Sequence, residues 1–169
     1  MDPDLEALAN AFESVAKQAV DKKRADDAIH AYLGALQIRL EVLGSEHLDV
    51  ASTEENIGNV LQNQGKYDEA LEKYNKTLQT RLAVLGSEHL DVAKTEGNIA
   101  AVYFHQGKFA EALKLWRKEL AIKEKVLGHE HLDVAKTHNN IGLVYTAQRK
   151  YDAALAEYQK SVDIEVKVL

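Results

Sequence analysis

Apolar Val50, Ala51, Ile57, Val60 and Leu61 recur at spacings of three, four and seven along the stretch from Leu48 to about Gln64, which is one face of an α-helix. Gly65-Lys66 then interrupts the run, as a left-handed cap does. From Tyr67 to about Val84, the residues Ala70, Leu71, Tyr74, Leu78 and Leu82 form a second stripe, closed by Gly86. The pattern predicts helix, turn, helix. It then returns. Leu43-Gly44-Ser45-Glu46-His47-Leu48-Asp49-Val50 recurs 42 residues later as Leu85 to Val92 and 42 later again as Leu127 to Val134, with His129 in place of the serine. Asn56-Ile57, Asn98-Ile99 and Asn140-Ile141 share one register, as do Ala70-Leu71, Ala112-Leu113 and Ala154-Leu155. Shifting back once more keeps Val15, Ala16, Ala28, Tyr32 and Leu36 but not the shared string. The expected organisation is a divergent unit at 1–42, then units at 43–84, 85–126 and 127–169, in one domain of about eight helices with no closing helix at its end.

The small residues indicate how the helices meet. Gly58, Ala100 and Gly142 fall on the first helix of their units, and Ala70, Ala112 and Ala154 on the second, which lets helix axes approach toward the low end of the usual ~8–10 Å. Tyr32, Tyr74, Trp116 and Tyr158 hold one register position and are expected to form a stacked core layer rather than a cofactor box. Glu72 with Lys76 and Glu119 with Lys123 stand one turn apart and are expected on solvated faces, worth about 0.2–0.5 kcal/mol each.

Charge and composition narrow the function. The 169 residues carry 21 Lys+Arg against 27 Asp+Glu, a formal net charge of −6. A nucleic-acid partner is therefore not expected, since its binding draws on phosphate neutralisation. The absence of cysteine excludes a disulfide framework, a thiolate metal site and a thiol nucleophile. The acidic start Met1-Asp2-Pro3-Asp4 has neither the basic nor the apolar region of a signal peptide, and no apolar stretch is long enough to span a bilayer. A cytoplasmic protein without membrane attachment is expected.

Ile57-Gly58, Leu61, Gly65, Tyr67, Ala70, Tyr74 and Leu78, with Ile99-Ala100, Tyr103, Gly107, Phe109, Ala112, Trp116 and Leu120, resemble the tetratricopeptide repeat, TPR. The 42-residue unit, longer than the usual 34, is similar to the repeat of kinesin light chains and related scaffold proteins. The resemblance implies an all-α fold, a right-handed α-solenoid of four helix-turn-helix repeats with antiparallel helices. It also implies a non-enzymatic scaffold or adaptor that binds a peptide segment of a partner protein in a concave groove. Three departures stand out. The customary proline after the second helix is missing, Glu119 replaces a small residue, and Arg149 replaces the turn glycine, at about 1 kcal/mol if its backbone is left-handed. Pro3 suits the start of the first helix, with Asp2 as its cap.

In that fold the first helices line the groove, and the resemblance places there Ser52, Glu55, Asn56, Asn59, Gln62 and Asn63; Lys94, Gly97, Asn98, Ala101, Phe104 and His105; and Lys136, Asn139, Asn140, Leu143, Thr146 and Ala147. Asn56, Asn98 and Asn140 form a ladder whose amides match the backbone groups of an extended peptide. Lys94 and Lys136, one turn earlier, favour an acidic or C-terminal segment. The same asparagines also fit a bond to a neighbouring helix, or inheritance by duplication. A full carboxylate clamp of the chaperone-binding kind is not expected, because Glu13 and Glu55 occupy its first lysine position.

Glu46-His47-x-Asp49, repeated at Glu88 and Glu130, has the residue types of a metal or acid–base site, and His138 adds an imidazole. Copies 42 residues apart fall on successive layers and do not converge, whereas a catalytic zinc needs three ligands around one point. The expected role is helix capping by His47 or Glu46, with Asp49 at the positive helix start. No nucleotide, nucleophile-elbow or zinc-protease string is present, so neither a catalytic residue nor a metal or other cofactor is expected. At the far end, Leu155, Tyr158 and Val162 are expected to be partly bare, either because the chain is cut from a longer array or because copies associate end to end. Val162 to Val168 alternates with period two, a strand signal, but the repeat register there reads as helix.

Overall fold

The computed structural model describes residues 3–21 and 23–168. Its described residues form eight α-helices and no strand: α1 (Pro3–Asp21), α2 (Ala25–Leu43), α3 (Leu48–Asn63), α4 (Tyr67–Leu85), α5 (Leu90–His105), α6 (Phe109–Leu127), α7 (Leu132–Ala147) and α8 (Tyr151–Val168). The alternation after Val162 is helical, as the register requires. Pro3 opens α1; Asp2, expected as its cap, lies outside the described residues.

Two kinds of junction punctuate the chain. Between the helices of a pair the chain turns tightly through a left-handed residue: Lys23, Gly65, Gly107 and Arg149 have φ of 58°, 76°, 75° and 58°. The next amide reaches back to the preceding helix, as in Lys66 N–H to Leu61 O at 2.9 Å and Lys150 N–H to Tyr145 O at 2.9 Å, which satisfies carbonyls the helix end leaves open. Arg149 is thus left-handed, and Lys23 shares its conformation. Between pairs, Gly44, Gly86 and Gly128 have positive φ, and the next helix starts under a histidine cap. The Nδ1 atoms of His47, His89 and His131 accept the backbone N–H of Asp49, Asp91 and Asp133 at 3.2, 3.1 and 3.1 Å. Of the two capping side chains considered, the histidine serves. Glu88 and Glu130 instead accept Lys125 and Lys167 from the last turns of α6 and α8.

The chain divides between Val84 and Leu85 into two compact units. In the first, the Phe12 ring occupies the space a side chain at Gly34 would need, bringing α1 and α2 close. The buried Arg39 of α2 donates to Asn10 Oδ1 and Glu13 Oε1 of α1, at 2.9 and 2.6 Å, and to Thr53 Oγ1 of α3 at 2.7 Å, so one guanidinium joins three helices. Tyr74 of α4 lies across Gly58 of α3, where an added Cβ would sit 2.7 Å from its ring. Its hydroxyl is 2.7 Å from Asn59 Oδ1 and 2.8 Å from Gln62 Oε1. Burial, with the Glu55 carboxylate nearby, pushes that phenol well above its ordinary range.

In the second unit, Ala100, Ala112, Trp116, Ile141 and Val144 form a core, with Phe104, Phe109, Leu113, Leu120 and Tyr145 around it. Trp116 meets Phe104 at 6.0 Å between centroids and a tilt of 49°. Tyr158 covers Gly142 as Tyr74 covers Gly58. The aromatic register is therefore core packing: Tyr32, Tyr74 and Trp116 are buried and Tyr158 half-buried. The Glu72–Lys76 pair is exposed as expected, 3.4 Å apart. Glu119 is a correction, for it is buried against α5 and not solvated, paired with Lys123 at 2.7 Å.

Candidate functional site

Along α5, Val92, Ala93, Thr95, Glu96, Gly97, Ile99, Ala100 and Val102 are buried. Lys94 and His105 stand exposed, with Asn98 and Phe104 half-buried at the edge of that face. Phe104 is held by the core, through Trp116 and Phe109, and meets His105 edge-on at 5.7 Å. On α7, Lys136, Asn139, Leu143 and Ala147 are exposed and Asn140 is half-buried. Thr146 is committed to Gly142 O and to the Tyr158 hydroxyl.

Lys136 donates to Asp133 Oδ1 at 2.9 Å, and that hydrogen bond holds the aspartate below its usual range against the opposing effect of burial. Its positive charge is thus shared with a carboxylate three residues back. Lys94 lies beside a cleft of about 460 Å³ lined also by Asp91, Lys123, Leu127 and His131. Lys123 was not among the expected site residues. The signal for it is the recurrence of a base at the register of Arg39 and Arg81.

In the first unit, Asn56 is half-buried on α3. Asn59 is half-buried and engaged by Tyr74, so it holds α4 in place. Asn63 is exposed and borders a cleft of about 270 Å³ with Val20, Lys23, Ala25 and Val60. Two residues expected on this face of the first helices are elsewhere. Glu55 is buried and takes two bonds from Arg81 of α4, at 2.8 and 3.2 Å, and Gly97 is buried over Glu119. Both inward positions follow from a charged partner on the second helix.

The ladder members differ in what they do. Asn98 is engaged within the protein. Asn56 and Asn140 make no side-chain hydrogen bond among the described residues, which leaves two donors and an acceptor on each. His138, by contrast, turns inward: its Nδ1 is 2.7 Å from Glu157 Oε2. Burial alone would raise Glu157, but the bonds from His138 and Lys160 outweigh it and hold the carboxyl below its usual range. Among the described residues no three His, Asp or Glu side chains gather as a metal site would need, and no helix is long and apolar enough to cross a membrane.

The family described as tetratricopeptide repeat matches residues 7–83, 49–100 and 91–164. No curated protein matches the chain. Among solved structures, BtubC (BKLC) from P. vanneervenii superimposes with a TM-score of 0.86 at 24% identity, over 99% of this chain and 66% of that one. The nearly identical kinesin light chain TPR-like repeats of Podosopora anserina give 0.76 at 21%, over 95% and 76%. The apo form of RapI gives 0.82 at 23%, over 98% and 45%. The chain thus spans a little under two thirds of BtubC and under half of RapI; the likeness is one of fold, a TPR-like solenoid.

Proposed function

From the premise that this chain belongs to the tetratricopeptide repeat family, we propose that it is a cytoplasmic, non-enzymatic scaffold that holds an extended peptide segment of a partner protein on the open faces of its first helices. In the second unit the binding residues are Lys94, Asn98 and His105 of α5 with Lys136, Asn139 and Asn140 of α7, and Phe104 supplies an apolar edge. Asn56 and Asn63 offer the same chemistry in the first unit, with Asn59 positioned by Tyr74. The observation that carries this reading is the unspent amide of Asn140 beside an exposed lysine and the exposed Leu143. An amide donates and accepts at once, which is what a peptide backbone requires. Lys94 and Lys136 favour an acidic segment, and both are engaged within the protein, Lys136 with Asp133, and have to be drawn away to serve it.

A peptide library scanned by fluorescence anisotropy tests the proposal. Peptides rich in Asp and Glu are expected among the binders, and Asn98→Ala with Asn140→Ala is expected to weaken them at least about tenfold, which is ~1.4 kcal/mol. Binding unchanged for every peptide found refutes it.

A second reading, self-association of copies end to end, is favoured by a separate observation. Leu155 and Val162 on α8, and Leu8 and Val15 on α1, are exposed apolar residues.

A further inference from the structure

We infer that the edge of the second unit formed at its α5–α6 and α7–α8 turns, which carries Lys108, Lys114, Arg117, Arg149 and Lys150, receives a run of Asp or Glu residues from a partner protein. This extends the scaffold reading to a surface outside the faces of α5 and α7, and rests on it only for the existence of a protein partner. The edge is continuous. Phe109, which opens α6, and Tyr145, near the end of α7, belong to one cluster, so the two turns lie side by side. Lys108 N–H donates to Tyr103 O at 2.8 Å and Lys150 N–H to Tyr145 O at 2.9 Å, which seats the two turn lysines alike. The Lys108 ammonium lies 5.5 Å from the centroid of the Tyr103 ring, and Arg117 donates to the Tyr145 hydroxyl. Lys114, three residues before Arg117, shares its exposed side of α6.

All five bases are exposed, and none has a carboxylate partner among the described residues. Elsewhere in the unit the lysines are spent. Lys118, Lys123, Lys125, Lys136, Lys160 and Lys167 each pair with a carboxylate, and Lys94 is engaged. Duplication does not account for the excess. One period before Lys114, Arg117 and Ala110 stand Glu72, Asn75 and Asp68, so the same edge of the earlier copy is acidic. Arg149 replaces the glycine of that copy at a left-handed φ of 58°, a conformation that gives arginine no structural advantage. The occupant follows from charge. Glu111 falls between Lys108 and Lys114 in the chain and Asp152 just after Lys150, and the protein as a whole carries −6. A bilayer or a nucleic acid is extended and would meet that wider acidic surface, whereas a short flexible run of carboxylates meets the edge alone. Contact is made by the ends of long side chains, so it leaves the backbone of α6 and α8 undisturbed and is read by affinity.

Fluorescence anisotropy of a labelled oligoglutamate peptide against the full 169-residue chain tests this. Binding is expected, and it should weaken as salt rises. Lys114→Glu with Arg117→Asn, which copies the earlier repeat, is expected to weaken it at least about tenfold by setting like charge against the segment. Arg149→Gly is expected to weaken it roughly two- to fivefold, the scale of one exposed ion pair, while raising the melting temperature, so that lost binding is not lost fold. Asn98→Ala with Asn140→Ala should leave oligoglutamate binding unchanged. Weakening by the edge variants supports this seat even if the library peptides prove indifferent to the asparagines, a result that would refute the groove reading alone. Oligoglutamate binding that the edge variants do not alter overturns the edge and leaves the groove reading standing. No binding of oligoglutamate, or tighter edge-dependent binding of phosphatidylserine vesicles or of oligothymidylate, also overturns it.

Discussion

Gly97 of α5 leaves its side-chain space to Glu119 of α6: a Cβ at Gly97 would lie 2.6 Å from Glu119 Oε1. One period earlier the carboxylate is on the first helix, where Glu55 pairs with Arg81 and Thr77 bonds Ala51 O at 3.0 Å. In the later copy the acid has crossed to the second helix, the threonine's place is taken by Glu119, and Lys123 supplies the base at 2.7 Å. Three substitutions thus move one buried ion pair without removing it. Burial pushes the Glu119 carboxyl up while Lys123 pulls it down, and Oε2 has no hydrogen-bond partner among the described residues.

The exchange predicts strong coupling. Glu119→Thr alone strips Lys123 of its carboxylate, at about 3 kcal/mol on the scale for broken buried pairs. Gly97→Glu alone sets two carboxylates in one space and destabilises at least as much. Together they restore the earlier arrangement, with a favourable coupling of about 1–3 kcal/mol. Urea unfolding followed by Trp116, the one tryptophan, reads all four corners of the cycle; additive losses would refute the compensation.

The left-handed turns give a second prediction. Arg149 and Lys23 have φ of 58° where the other two pairs use glycine. Arg149→Gly and Lys23→Gly relieve that strain and should each stabilise by up to about 1 kcal/mol, reduced by the extra freedom glycine has when unfolded. Gly107→Ala should cost a similar amount. Thermal denaturation checks both directions.

The His138–Glu157 contact gives a pH dependence. The folded carboxyl is depressed below its unfolded value near 4.3, so its contribution is fully present above that pH and is lost as pH falls through the folded value. The stability gap between the native chain and Glu157→Gln should close as pH falls below the ordinary carboxylate range. Urea midpoints at stepped pH measure it. A gap that failed to close below that range would contradict the assignment.

The histidine caps are expected to be worth what short polar caps are. His89→Ala should destabilise by roughly 0.5–2 kcal/mol, and His89→Asn should recover most of it, because the amide oxygen can accept the Asp91 N–H. Melting curves of the two variants decide.

Much of the fold was legible because periodicity reports burial directly. The stripe from Leu48 to Gln64 became Leu48–Asn63, and that from Tyr67 to Val84 became Tyr67–Leu85. The glycines beside Tyr74 and Tyr158 were readable because a missing side chain and a large ring shared a register. Inward charges were not. Whether Glu55 faces solvent or core depends on Arg81, 26 residues away on another helix, and a helical wheel of α3 alone cannot contain it. Glu119 was misplaced for the same reason, its neighbour Lys123 suggesting an exposed pair when Gly97 had opened the interior. On the candidate face, the sequence marked Asn59 and Asn140 alike; contact with Tyr74 separates the one that positions a helix from the one whose amide is unspent.

The most direct test of the scaffold reading is a backbone-amide and Asn side-chain NMR titration with the tightest acidic peptide from the library. The account predicts shifts concentrated at Lys94, Asn98, His105, Lys136, Asn139 and Asn140, with α6 and α8 largely still. Shifts confined to α6 and α8, or none at saturating peptide, would contradict it.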